Sequence, residues 1–369
     1  EEVAAILRYC SEAGVNIVPR GAGTSLSGGA IPLGDGVLLV TARLNRILEI
    51  DYENRCAVVQ PGVTNLAITR AVEARGFYYA PDPSSQLACS IGGNVAENSG
   101  GVHCLKYGLT TNNLLGVEMA LIDGSIARIG GKCGAPSGYD LLGLVTGSEG
   151  LLGVVTQVTV RILPKPPLAR ALLIGFPSIE AAGEAVAAII AGGIVPAGLE
   201  LMDRISVGAM EAYCAPGYPL DAEAVLIAEL DGTAVEVDTL IVRLEAIVRA
   251  AGALSCRAST SEEERLKIWA GRKAAFAATG RIAPDMLCMD GTIPRRELAR
   301  VLRRIGEMSA ACGLPVANVF HAGDGNLHPL ILYDAMKPGD MDKAEAFGAD
   351  ILRLCVEVGG VLTGEHGVG

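Results

Sequence analysis

Pro19-Arg20-Gly21-Ala22-Gly23-Thr24-Ser25-Leu26-Ser27-Gly28-Gly29 follows a short run, Asn16–Pro19, that reads as a strand. Glycines let the backbone approach a ligand closely, and their N–H groups can hold a phosphate. A Rossmann fingerprint would put its third glycine at Leu26 and open a helix directly, and the sequence does neither. A Walker loop is excluded too, because no Lys-Ser/Thr pair follows the glycines. Taken alone, the stretch is a ligand loop or a plain tight turn.

Two further stretches decide between these readings. Pro81-Asp82-Pro83-Ser84-Ser85 leads to Ser90-Ile91-Gly92-Gly93-Asn94-Val95-Ala96-Glu97-Asn98-Ser99-Gly100-Gly101. A third cluster is Gly147-Ser148-Glu149-Gly150-Leu151-Leu152-Gly153-Val154-Val155-Thr156. Three such stretches in one half of a chain are more than turns require. Together they resemble the flavin-binding domain of the vanillyl-alcohol-oxidase/PCMH superfamily, over about Glu1–Leu163. The resemblance implies FAD held in an α+β domain unrelated to Rossmann folds. The first two loops would hold the pyrophosphate, through Pro19–Ser25, Gly28 and Gly29, and then Pro81, Asp82, Ser90, Gly92, Gly93, Asn94, Asn98, Gly100 and Gly101. Later segments, with Tyr107, Gly108, Glu149, Gly150, Gly153, Val154 and Val155, would wrap the adenine and isoalloxazine ends. Some members attach FAD covalently through a His in the first loop. Thr24 stands at that position here, which implies non-covalent FAD. His103 reads as a structural or surface residue.

Around these loops, Val3, Ile6, Leu7 and Cys10 follow helical spacing up to a stop at Gly14. Val37–Thr41 and Ile47–Asp51 are strand-like, and Ala57–Gln60 reads as a return strand turned at Glu53-Asn54. Thr64–Arg75 reads as a helix closed by Gly76. Val154, Thr156, Val158, Val160 and Ile162 mark a period-2 strand. Pro164, Pro166 and Pro167 then break regular structure, placing a domain boundary there. The expected domains are 1–163 and 168–369. In the second, strands at Ala171–Phe176, Leu199–Met202, Val225–Leu230 and Met286–Ile293 alternate with helices at Ile179–Ala191, Val235–Ala251, Glu262–Thr279, Arg295–Cys312 and Met341–Val358. The pattern predicts an antiparallel sheet with helices on one face.

A chain of 369 residues with a formal charge of −11 is a poor nucleic-acid binder, and no basic run offers a phosphate track. None of the ten cysteines forms a C-x-x-C pair, which argues against an iron–sulfur cluster or zinc ribbon. Most lie among apolar neighbours and read as small buried hydrophobes of a reducing compartment. The longest uncharged stretch, near Ala185–Leu199, is shorter than the roughly 20 residues of a membrane span.

His321-Ala322-Gly323-Asp324-Gly325-Asn326-Leu327-His328 joins two imidazoles through turn formers. If Gly323–Asn326 is a four-residue hairpin loop, His321 faces His328, with Cβ atoms about 4.5–5.5 Å apart. Glu365, in Leu362-Thr363-Gly364-Glu365-His366-Gly367, offers a third ligand. Two His and a carboxylate suit Zn, Mn or Fe(II). A lone His is more often a satisfied core residue, but three of the four His in the chain fall in these two loops.

These motifs, with Trp269-Ala270-Gly271-Arg272 and Cys288-Met289-Asp290-Gly291-Thr292-Ile293-Pro294, resemble the C-terminal domain of the FAD-linked oxidases. That family includes D-lactate, D-2-hydroxyglutarate and glycolate dehydrogenases. Ser99–Thr110 and Cys288–Arg295 are worded most like the flavin subunits of bacterial glycolate oxidases. The resemblance covers the whole chain and implies that both ends are truncated. It implies FAD-dependent oxidation of a small D-2-hydroxy acid, with one divalent metal on His321, His328 and Glu365. His366 would be the general base and Arg272 the group holding the substrate carboxylate. For Arg272 the bland reading is a surface ion pair, with Glu264 as the candidate partner. The expected partners are a second flavin subunit and an iron–sulfur subunit, and the expected place is the cytoplasm or, through those subunits, the periphery of the inner membrane. Rival readings are a stand-alone D-lactate or D-2-hydroxyglutarate dehydrogenase, a non-catalytic flavin relay, and an alkyl-glycerone-phosphate synthase.

Overall fold

The computed structural model describes residues 1–132 and 138–369, so Cys133 lies outside the described residues. The chain divides into two units, Glu1–Lys165 with Glu365–Gly369, and Pro166–Gly364. The last five residues, which the sequence reading assigns to the second domain, therefore group with the first.

In the first unit, the helix Glu2–Ala13 stops at Gly14, whose φ of 64° suits glycine. Ile17–Arg20 pairs in parallel with Val37–Val40, and the first glycine loop lies in the connection between them. Five antiparallel strands form the main sheet, in the order Ile47–Asp51, Cys56–Val59, Val154–Arg161, Leu114–Ala120 and Ile126–Gly130. The strand Val154–Arg161 buries Val154, Val158 and Val160, and its exposed end is Arg161. The core forms where Ile68 and Val72, from the helix Asn65–Val72, meet Ile91, Val95, Val158 and Ile162. That helix ends earlier than expected. Its last turn, Glu73–Arg75, tightens to a 3-10 helix before Gly76, which has φ 75°.

The interior strand Leu114–Ala120 was not anticipated. Gly116 and Glu118 interrupt its apolar pattern, and the pairing with Val154–Arg161 shifts register beside both. A Cβ on Gly116 would come within 2.7 Å of the Gly131 nitrogen, so close backbone approach explains the glycine.

The second unit is built on seven antiparallel strands. Their order is Ser255–Ala258, Leu168–Phe176, Ala224–Gly232, Gly198–Asp203, Val316–Phe320, Pro329–Tyr333 and Asp285–Cys288. Val316–Phe320 is buried along its whole length, so it lacks the alternation that marks a half-exposed strand. The helices Ile179–Ala191 and Ala234–Ala250 pack on the strand Ala224–Gly232. Thr233 and Glu236 close a reciprocal cap at the start of the second. The single helix expected over Glu262–Thr279 is two, Glu262–Lys273 and Ala275–Thr279, separated at Ala274. The expected strand Met286–Ile293 regularly pairs only over Asp285–Cys288, after which the chain leaves the sheet edge.

The histidine hairpin has a different register from the expected one. His321 bridges Asn326 rather than facing His328. Its carbonyl accepts N–H bonds from Asp324, Gly325 and Asn326, so the loop closes as Ala322–Gly325. Gly325 supplies the left-handed residue, with φ 78°. His328 thus sits two residues farther along the same face, a diagonal neighbour still within reach of a long side chain.

Candidate active site

Each unit gathers a set of the expected residues. In the first unit the glycine loops converge. A Cβ on Gly21 would fall 2.3 Å from Ser90 Oγ, so the first loop runs against the second where only glycine fits. Ser90 Oγ also caps the helix Ile91–Glu97 by accepting the Gly93 N–H, and Asn98 ends that helix at φ 54°. Asn65 Nδ2 donates to the Pro81 carbonyl at 3.0 Å and to Asn94 Oδ1 at 3.1 Å, joining two parts of the second loop. The Asn98 carboxamide accepts the Thr111 N–H, and Gly108 has φ 82°. His103 is tied to Asp82. Its Nδ1 lies 2.8 Å from Asp82 Oδ2, and its backbone N–H donates to Oδ1.

The third cluster meets the chain's last residues. Glu149, at φ 52°, accepts N–H bonds from Val368 and Gly369 at 3.0 and 2.7 Å. Glu365 Oε2 accepts the Gly100 N–H at 2.8 Å, and a Cβ on Gly100 would collide with that oxygen. Glu365 and His366 are thus placed on the glycine-loop unit.

Glu97 Oε2 is buried without a hydrogen-bond partner. Burial, and then the nearby charge of Glu149, push the Glu97 carboxyl up to about 7. A carboxyl raised in this way stabilises the folded, flavin-free protein below the ordinary value of 4.5. That contribution is lost as pH rises through about 7. Discounted for partial exposure, the effect is on the order of 1 kcal/mol. The flavin-free protein should therefore lose thermal stability between pH 5 and 8, and Glu97→Gln should flatten that fall. Equal slopes for the two proteins would rule this source out.

In the second unit, His321 and His328 are both buried, with ring centroids 5.0 Å apart and rings nearly perpendicular. Each has a carboxylate. His321 Nδ1 lies 2.7 Å from Glu200 Oε1, and His328 Nε2 lies 3.1 Å from Asp290 Oδ1. Arg272 is buried as well, and its Nε donates to Glu200 Oε2 at 2.7 Å. The ion pair considered for Arg272 with Glu264 does not form, because Glu264 pairs with Arg257. Trp269 and Arg272 share the docked side of their helix, where Trp269 Nε1 donates to Glu229. Burial pushes the Glu200 carboxyl up, but the charges and hydrogen bonds of His321 and Arg272 outweigh it and hold the group below its ordinary value.

Glu200 and Asp290 were not singled out from the sequence. Glu200 was visible only as one charge inside the apolar run Leu199–Met202. Asp290 lies in the quoted Cys288–Pro294 stretch. It also accepts from Thr363 Oγ1 at 2.5 Å and from the Gly364 N–H at 2.8 Å, fixing the backbone just ahead of Glu365.

Two imidazoles held by carboxylates have the donor chemistry of a divalent-metal site. The abutting glycine loops and the orphaned Glu97 oxygen fit a cofactor threaded along the first unit. Among the nine described cysteines, Cys10, Cys56, Cys89, Cys104 and Cys355 are buried and Cys214 is exposed. No helix among the described residues is long and apolar enough to cross a membrane.

Comparison with known proteins gives two family matches. Residues 1–130 match the FAD binding domain, and residues 165–369 match the C-terminal domain of FAD linked oxidases. The chain is 58% identical to glycolate oxidase subunit GlcD of Escherichia coli K12, over its whole length and 74% of that protein. It is 32% identical to D-lactate dehydrogenase of Anaerostipes hadrus, covering 79% of it. A solved structure of p-cresol methylhydroxylase superposes with a TM-score of 0.80 at 17% identity, covering 99% of this chain and 80% of the other, which shows a shared fold.

Proposed function

This chain belongs to the FAD-linked oxidase family, and from that membership we propose that it oxidises a small D-2-hydroxy acid, glycolate to glyoxylate or D-lactate to pyruvate. The observation that carries the reading is the pair of buried imidazoles 5.0 Å apart, with Arg272 buried in the same unit. A metal-binding pair and a guanidinium are the chemistry a hydroxyl beside a carboxylate calls for. Relatives named glycolate oxidase subunit and D-lactate dehydrogenase support the same substrate class.

His321, His328 and Glu365 would hold one divalent metal, Zn, Mn or Fe, which when bound makes a hydroxyl more acidic. FAD, when bound by the glycine loops, supplies the electron acceptor for the hydrogen on C2. Arg272 binds the substrate carboxylate, whose planar oxygens match a guanidinium fork. His366 accepts the hydroxyl proton as the carbonyl forms, a role suited to imidazole near neutral pH.

With Thr24 at the attachment position, FAD is held without a covalent bond. Acid precipitation of the loaded protein should release all flavin to the supernatant, and flavin retained in the pellet would contradict this. We also place the chain among partner subunits, a second flavin subunit and an iron–sulfur subunit, that carry the electrons onward. The relative named as a subunit supports that arrangement.

The D-lactate dehydrogenase relative keeps a second reading open, a stand-alone enzyme for D-lactate or D-2-hydroxyglutarate. Partner subunits that copurify with the chain separate the two, and turnover with an artificial electron acceptor over glycolate, D-lactate, L-lactate and D-2-hydroxyglutarate tests the substrate class. The main reading expects glycolate or D-lactate to rank first, with glyoxylate or pyruvate as product. No turnover of any 2-hydroxy acid would reject both.

A further inference from the structure

Glu200 is the one acidic residue within the buried run of the strand Gly198–Asp203, and its exposure is 0%. Its two oxygens have separate assignments, Oε1 to His321 Nδ1 and Oε2 to Arg272 Nε, each at 2.7 Å. All three residues belong to the second unit, so the arrangement is internal to one fold. A buried carboxylate is costly unless it is paired and hydrogen-bonded. Here both oxygens are spent on side chains with proposed roles in the chemistry, one from the turn after Val316–Phe320 and one from the helix Glu262–Lys273.

We propose that Glu200 is the positioning residue of the site: it fixes His321 as the Nδ1–H form, so that Nε2 carries the lone pair offered to the metal, and it locks that imidazole to Arg272. This rests on the metal-ligand role proposed above for His321. The chemistry of the acceptor supports it. A carboxylate has two acceptor oxygens, and two donors face it here. The Arg272 guanidinium on the second oxygen favours the ionised, acceptor-only form. A partner of this kind sets both the tautomer and the ring orientation of a metal-binding His. If Glu200 only fastened a helix to the sheet, replacing it would lower stability and leave the His321 tautomer and the metal affinity of the folded protein unchanged.

Glu200→Gln separates the two accounts. Gln has the same length but a single acceptor oxygen, so His321 Nδ1–H or Arg272 Nε–H loses its partner. The full chain with the Gln substitution should keep its FAD and bind Zn²⁺ about 10–100-fold more weakly in competition with a chelator. Unchanged Zn²⁺ affinity would overturn the proposal. A second measurement needs no Glu200 variant. With four His in the chain, ¹⁵N-histidine NMR of the metal-free wild type can be assigned by single substitutions. The His321 Nδ1 should be protonated, and Zn²⁺ should shift its Nε2 signal. An unprotonated Nδ1 would overturn the proposal even if the Gln variant does not fold. The controls distinguish failures. Zn²⁺ binding that His321→Ala leaves intact rejects the metal site itself. Binding that needs His321 but ignores Glu200→Gln rejects only the positioning role.

Discussion

Replacing His321 or His328 by Ala is expected to strip the metal and abolish turnover while FAD content stays at one per chain. The two imidazoles lie in the second unit and the glycine loops in the first, so the losses should separate. Metal stabilisation of developing charge is worth several kcal/mol, which corresponds to a rate loss on the order of 1,000-fold or more. His328→Ala also leaves Asp290 without its imidazole partner. Asp290 holds Thr363 and Gly364, so some added loosening of that segment is expected. The assay is metal analysis, flavin content and rate on the same preparations. Full activity after chelation with verified metal removal would refute a catalytic metal.

The second large effect is on stereochemistry. In the proposed site Arg272 would fix the carboxylate, and His366 with the proposed metal ligands would fix the hydroxyl, so only one hand of a 2-hydroxy acid could direct its C2 hydrogen at the acceptor. D-lactate should reduce the flavin at least about 100-fold faster than L-lactate, the scale of loss when reacting groups are misplaced. Glycolate has no chiral carbon and should lose one prochiral hydrogen only, which deuteration at a single position reveals. Equal rates for the two lactates, or a faster L-lactate, would mean that the roles given to Arg272 and His366 are wrong.

Much of the fold could be read from local chemistry. Glycines at 21, 92 and 100 lie where an added Cβ would press against a neighbour, and that constraint concentrates them in readable clusters. The alternating strand from Val154 and the Gly14 and Gly76 stops were legible for similarly local reasons. Features decided by tertiary pairing were not. Leu114–Ala120 hides behind Gly116 and Glu118, and Val316–Phe320 is buried on both faces. The hairpin register turned on which residue took the left-handed conformation, and composition alone could not choose Gly325 over its neighbours. In the site, His321 and His328 stood out because histidines are scarce. Glu200 and Asp290 did not, because a buried carboxylate leaves no periodic trace. Its role appears only when the strand, the helix and the turn that surround it are assembled.

The most direct measurement is anaerobic mixing of the FAD- and metal-loaded protein with glycolate and with D-lactate, following flavin absorbance and product in one turnover. The account predicts that at least one of the two bleaches the flavin fully, with one glyoxylate or pyruvate formed per flavin reduced. A flavin that stays oxidised with both acids, in protein shown to hold FAD and metal, would contradict it.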